Sequence, residues 1–181
     1  TRICALCHTP HHAEKFADQD YMPLWSRPDM GVTTFAQYDS ATFDATKIED
    51  TVNGGTMDIT DPLNGPSRLC MSCHDGVVAI DSHYGQSGTL TPNPTRDNDT
   101  WGGVSIMDGA GLSNDHPVGF DYIQVAAQDD EIHESPVFPG SGVAVADVLY
   151  ADQFYVGEMV MTCATCHDVH NSKNTEDYFL Y

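Results

Sequence analysis

The chain has 181 residues and a formal charge of −20, with 27 Asp and Glu against 7 Lys and Arg. That balance leaves no basic surface for nucleic-acid phosphates or an anionic membrane, and no apolar run reaches the roughly 18 residues of a bilayer-spanning helix. Leu, Ile, Val and Phe are only 36 of the 181 residues, at the edge of the composition expected for disorder. Yet six Cys, nine His and eight Tyr are not what a solvated tail carries, so something other than aliphatic side chains is expected to supply buried surface. The opening Thr1-Arg2-Ile3-Cys4 is no signal peptide; an exported chain would already have lost its leader.

In chain order, residues 1–12 hold Cys4-Ala5-Leu6-Cys7-His8. Pro10 ends any helix there, because Thr9 before it is pushed out of the α region. Residues 13–66 are rich in turn formers, among them Pro23, Pro28, Gly31 and Asn64-Gly65-Pro66, with extended pieces such as 32–35 suited to hairpins. Residues 67–85 hold Cys70-Met71-Ser72-Cys73-His74, and 86–115 read as loops. Residues 120–128 suit a short helix. The β-branched and aromatic run from 143 to 161 suits strands, with 158–162 extended into Cys163-Ala164-Thr165-Cys166-His167. The expected fold is mostly irregular coil with few short helices and short β-hairpins, organised as one domain over 1–181.

All six cysteines fall into three copies of C-x-x-C-H, the attachment pattern of a c-type haem. Two thiols add to the two porphyrin vinyl groups, and on a helical turn positions i, i+3 and i+4 share one face. His8, His74 and His167 are thereby placed as axial ligands of the iron. Zinc sites use paired C-x-x-C units and need no histidine after each; disulfides explain an even cysteine count but not the three histidines. Three covalently bound c-type haems, at Cys4 and Cys7, Cys70 and Cys73, and Cys163 and Cys166, are therefore expected to organise the fold and supply the missing apolar surface.

Six histidines remain: His11, His12, His83, His116, His133 and His170. His11 and His170 each follow an axial histidine by three residues, a tether of at most about 10 Å, so neither reaches the far face of its own haem. Each ligates a different haem as a distal ligand, or hydrogen-bonds a propionate. His12, His83 and His133 are alternative or inter-subunit distal ligands. With enough histidines to make every iron six-coordinate, no open position is expected for a substrate, and the reading is electron transfer without an enzyme activity. A multihaem oxidoreductase with one open haem is an alternative. The acidic stretches 58–61 and 97–99 could bind Ca²⁺ through carboxylates and carbonyls, although solvated loops are the plainer reading.

The stretches 4–11, Pro23-Leu24-Trp25, 69–76, 112–122 and 162–171, in that order, resemble the multihaem c-type cytochromes of bacterial and archaeal extracellular electron transfer, including those that polymerise into filaments. The resemblance makes His116 the distal ligand of the haem at Cys70 and Cys73. It implies an exported protein, extracellular or alternatively periplasmic, whose partners are redox proteins or extracellular electron acceptors. Where relatives often carry Asn-His or Asn-Arg after Leu-Trp, this chain has Ser26-Arg27, to which no ligand is assigned. Motifs close to both chain ends suggest haem edges exposed at both, which a head-to-tail contact between copies would bury. The expectation is the repeating subunit of an extracellular filament, with a soluble exported three-haem carrier as the alternative.

Overall fold

The computed structural model of the protein describes residues 3–16, 21–29, 38, 40–45, 63, 65–90, 112, 113, 115, 117–151, 157–171 and 180. Most of this backbone is irregular. The described residues hold helices α1 (Pro66–His74), α2 (Tyr122–Ala126) and α3 (Cys163–Cys166), 3₁₀ turns at Ile3–Leu6 and Val145–Asp147, and an antiparallel pair, β1 (Tyr150–Ala151) with β2 (Met159–Val160). The coil-rich expectation is met, as is the short helix expected within 120–128. No helix among the described residues is long and apolar enough to cross a membrane. The pieces at 32–35, the acidic stretches 58–61 and 97–99, and His116 lie outside the described residues.

The chain divides into two compact units, Thr1–Gln37 with Arg68–His116, and Tyr38–Ser67 with Pro117–Tyr181. In the first, Phe16, Trp25 and Leu69 are buried together, with Cys7 and Met22 packed against them. Arg68 closes this cluster, its guanidinium 6.0 Å from the Phe16 ring centre and 2.7 Å from Asp29 Oδ2. Among the described residues, hydrogen bonds also bring distant segments of this unit together.

In the second unit Phe43, Ala45, Phe120, Tyr122, Val125, Ala126 and Val145 are buried together. Its rings meet edge to face, Phe43 lying 5.1 Å from Phe120 and 5.6 Å from Tyr38, a geometry set by the aromatic quadrupole. Asp121 joins two elements here. One carboxylate oxygen caps α2 by accepting the Gln124 N–H at 2.8 Å, and the other accepts the Met159 N–H at 2.8 Å where β2 begins. Two further bonds, Met161 N–H to Phe120 O (2.9 Å) and Gly119 N–H to Met161 O (2.7 Å), align β2 beside 119–121. The extended run expected at 158–162 is thus present and leads straight into α3.

Gly65, just before α1, shows what a turn demands of sequence. Its φ is +55°, and a Cβ there would stand 2.6 Å from the Tyr150 ring. Glycine alone satisfies both the left-handed backbone and the close approach. Pro66 then opens the helix at the position where its missing N–H costs least.

Candidate functional site

Each C-x-x-C-H segment folds as a helical turn. In the first, the 3₁₀ turn Ile3–Leu6 is followed by Cys7 N–H and His8 N–H both donating to Cys4 O, at 3.2 and 2.9 Å. In the second, Cys70 to His74 form the last turn of α1. In the third, α3 closes with His167 N–H on Cys163 O at 3.1 Å. Its start is fixed by the buried pair Thr162 and Thr165, where Thr162 N–H donates to Thr165 Oγ1 (2.9 Å), and by Cys163 N–H donating to Ser67 Oγ (3.0 Å). Segments of different surrounding sequence thus each bring two thiols and an imidazole onto or directly after a helical turn, 3₁₀ in the first and α-helical in the second and third. Motifs one and two belong to the first unit and motif three to the second.

No disulfide joins any two of the six cysteines. Burial pushes the Cys73 thiol up to about 11, and raises Cys7 and Cys166 as well; the positive charge of Arg27 opposes that rise at Cys73 and Cys7.

The tripeptide Trp25-Ser26-Arg27 clamps the first unit. Trp25 stands edge-on to the His8 ring, 5.4 Å between centres, and its Nε1–H donates to Ser72 Oγ at 3.1 Å. Ser26, fully buried, donates through Oγ to Leu6 O (2.7 Å) and Ala5 O (3.2 Å), and through its N–H to Cys7 O (2.8 Å). Arg27, also fully buried, donates from Nε and Nη2 to Ser72 O, and reaches the carbonyls of Ala79, Ile80 and Ser82. One three-residue strip thus holds the turn of motif one and the turn of motif two. Sequence reasoning used Trp25 only within a resemblance and assigned no ligand to Ser26-Arg27; the available signal was a rare cation two residues after a tryptophan in a chain with only seven Lys and Arg.

The histidines differ in how their rings are held. His8 Nδ1 lies 2.7 Å from Pro23 O and His83 Nδ1 2.7 Å from Asp81 O. A carbonyl can only accept, so both neutral rings carry the proton on Nδ1 and the lone pair on Nε2, the arrangement that metal-ligating histidines commonly have. His133 is the opposite: its Nδ1 accepts the Ser135 N–H at 3.1 Å, which puts the neutral ring's proton on Nε2. His11 and His12 are exposed. The His170 side chain is 79% exposed, its Nδ1 3.8 Å from Asp168 Oδ1, with its N–H held by that oxygen.

The loop carrying His83 is built on Asp81. Its carboxylate accepts the N–H of Thr89 and Leu90 and the Thr89 hydroxyl, all at 3.0–3.1 Å. The Thr89 N–H bond leads in holding its pKa below the ordinary carboxylate value, with Leu90 and the Thr89 hydroxyl adding to it. Gly88 lets the loop close, since a Cβ there would meet Ala79 Cβ at 2.6 Å and Ser82 N at 2.8 Å.

Two thiols and an imidazole on one turn could hold a porphyrin, which brings four of its iron's six ligands on its own ring. Among the described residues no group of three or more His, Cys, Asp and Glu side chains converges to hold a bare metal ion. No protein-family model matches the chain, and no curated protein matches it.

Proposed function

We propose that residues 1–181 work as one electron-transfer domain carrying three c-type haems, the repeating subunit of an extracellular filament, and that the protein is not an enzyme. The observation that carries this reading is the threefold recurrence of C-x-x-C-H as a closed helical turn. The donor set fits the group: Cys4, Cys7, Cys70, Cys73, Cys163 and Cys166 would form the thioethers, and His8, His74 and His167 would ligate iron. When bound, such a group supplies a reversible one-electron couple, with one electron entering and one leaving and no bond broken. The chain's part is to orient ligands and set the field. Pro23 O fixes the His8 ring and raises its basicity, which favours the oxidised state, and the acidic surface acts in the same direction.

Distal ligation belongs to the same proposal, with His11, His116 and His170 as the leading set. His83 gains support from its fixed ring and His133 loses it. Leu6 within motif one and Val169 beside motif three are exposed apolar residues, 37% and 65%, surface that an attached macrocycle or a second copy would cover. The test is spectroscopic: the purified protein should be low-spin, with potentials below the hydrogen-electrode zero. A dominant high-spin signal would instead support the oxidoreductase with an open haem. Size-exclusion chromatography separates filament from carrier, and a stable six-coordinate monomer at high concentration would overturn the filament.

A further inference from the structure

Arg27 is fully buried, and every hydrogen bond of its guanidinium goes to a neutral backbone carbonyl. Among the described residues no carboxylate forms an ion pair with it. The nearby Asp75 spends one carboxylate oxygen on the N–H of Val77 and Val78, at 3.0 and 3.1 Å. Carbonyl dipoles stabilise the guanidinium in place without cancelling its charge, and arginine does not lose its proton in proteins. A chain of formal charge −20 thus buries the Arg27 guanidinium in its first unit, with Asp75, also fully buried, as an acidic neighbour that offsets part of its field. That cation is anchored to the carbonyl of Ser72, between the two cysteines of motif two.

We propose that Arg27 is the potential-setting residue of the first unit: its buried charge raises the reduction potential of the group held at Cys70 and Cys73 above what ligation and the acidic surface would give. The inference rests on the electron-transfer reading. A positive charge in a medium of low dielectric favours the state carrying one more electron. Burial removes the screening that would erase the effect at the surface. The consequence is that, within the first unit, the motif-two site is the preferred resting place of an electron. Arg27 is a positioning residue too, since it ties Ser72 to the loop at 79–82, so the test must separate charge from scaffold.

Full-length protein matured with its haems is compared as wild type, Arg27→Gln and Arg27→Lys by spectroelectrochemical titration, each variant first weighed under denaturing conditions. Arg27→Gln should lower one couple so that its reduced-to-oxidised ratio at fixed applied potential falls about tenfold, the scale of one unit charge across roughly 10 Å of protein, equal to about 59 mV. Arg27→Lys keeps the charge and loses the fork, and should stay within about threefold of wild type. Unchanged couples in Arg27→Gln overturn the inference. So does an Arg27→Lys couple that falls tenfold, because scaffold loss would then be the cause; this second variant decides alone if Arg27→Gln does not accumulate. Haem-free wild-type protein would overturn the electron-transfer reading itself, whereas three attached haems with unshifted couples overturn only the role of Arg27.

Discussion

At the scale of single residues, the hydrogen bond a histidine makes through Nδ1 decides what its other nitrogen can do. His83 follows Asp81 by two residues and His133 stands between Glu131 and Glu134, and their Nδ1 bonds run in opposite directions. Of these two alternative distal ligands, His83 is the one whose replacement by Ala can convert a haem from low-spin to high-spin, whereas His133→Ala leaves the spectrum unchanged; electron paramagnetic resonance reads both. The reverse outcome would remove His83 from the ligand set. Ser26 was silent in sequence for a different reason. Its hydroxyl works only because the fold brings it to carbonyls 20 and 21 positions away. Ser26→Ala deletes that donor from a buried site and should cost about 1–3 kcal/mol, read as a shift in the urea midpoint at unchanged slope.

At the scale of elements, the three turns were legible because C-x-x-C-H fixes its own local geometry, and β2 was legible from its β-branched and apolar run. Asp121→Ala should remove the cap of α2 and the anchor of β2 together, a loss of about 2–3 kcal/mol from two buried charge-assisted bonds. A midpoint shift below about 0.5 kcal/mol would contradict that role. The loop from 81 to 90 was not legible, since its closure depends on one carboxylate meeting three donors far along the chain. Because Asp81 titrates below its ordinary value, the unfolded chain binds the proton more readily. The loop's stabilisation is therefore full above about pH 4 and is lost as pH falls through the lowered value. Hydrogen exchange at Thr89 and Leu90 should stay slow at pH 5 and quicken on acidification, and Asp81→Asn should quicken it already at pH 5.

For the whole molecule, composition indicated that aliphatic residues are few, and among the described residues the buried apolar side chains gather into a cluster in each unit. The division into two units was not legible, because both are discontinuous in sequence and nothing in local pattern reports which distant segments pair. The clamp at Trp25, Ser26 and Arg27 escaped for the same reason: its partners at Ser72 lie 45 to 47 positions away. On the proposed reading, attached macrocycles complete what side chains leave unfinished, so everything turns on covalent stoichiometry. The most direct measurement is the intact mass of the denatured, naturally matured chain, with peptide mapping of the attachment sites. The account predicts the polypeptide plus three haems, each joined through both cysteines of one C-x-x-C-H turn. A haem-free mass, or cysteines found linked to one another, would contradict it.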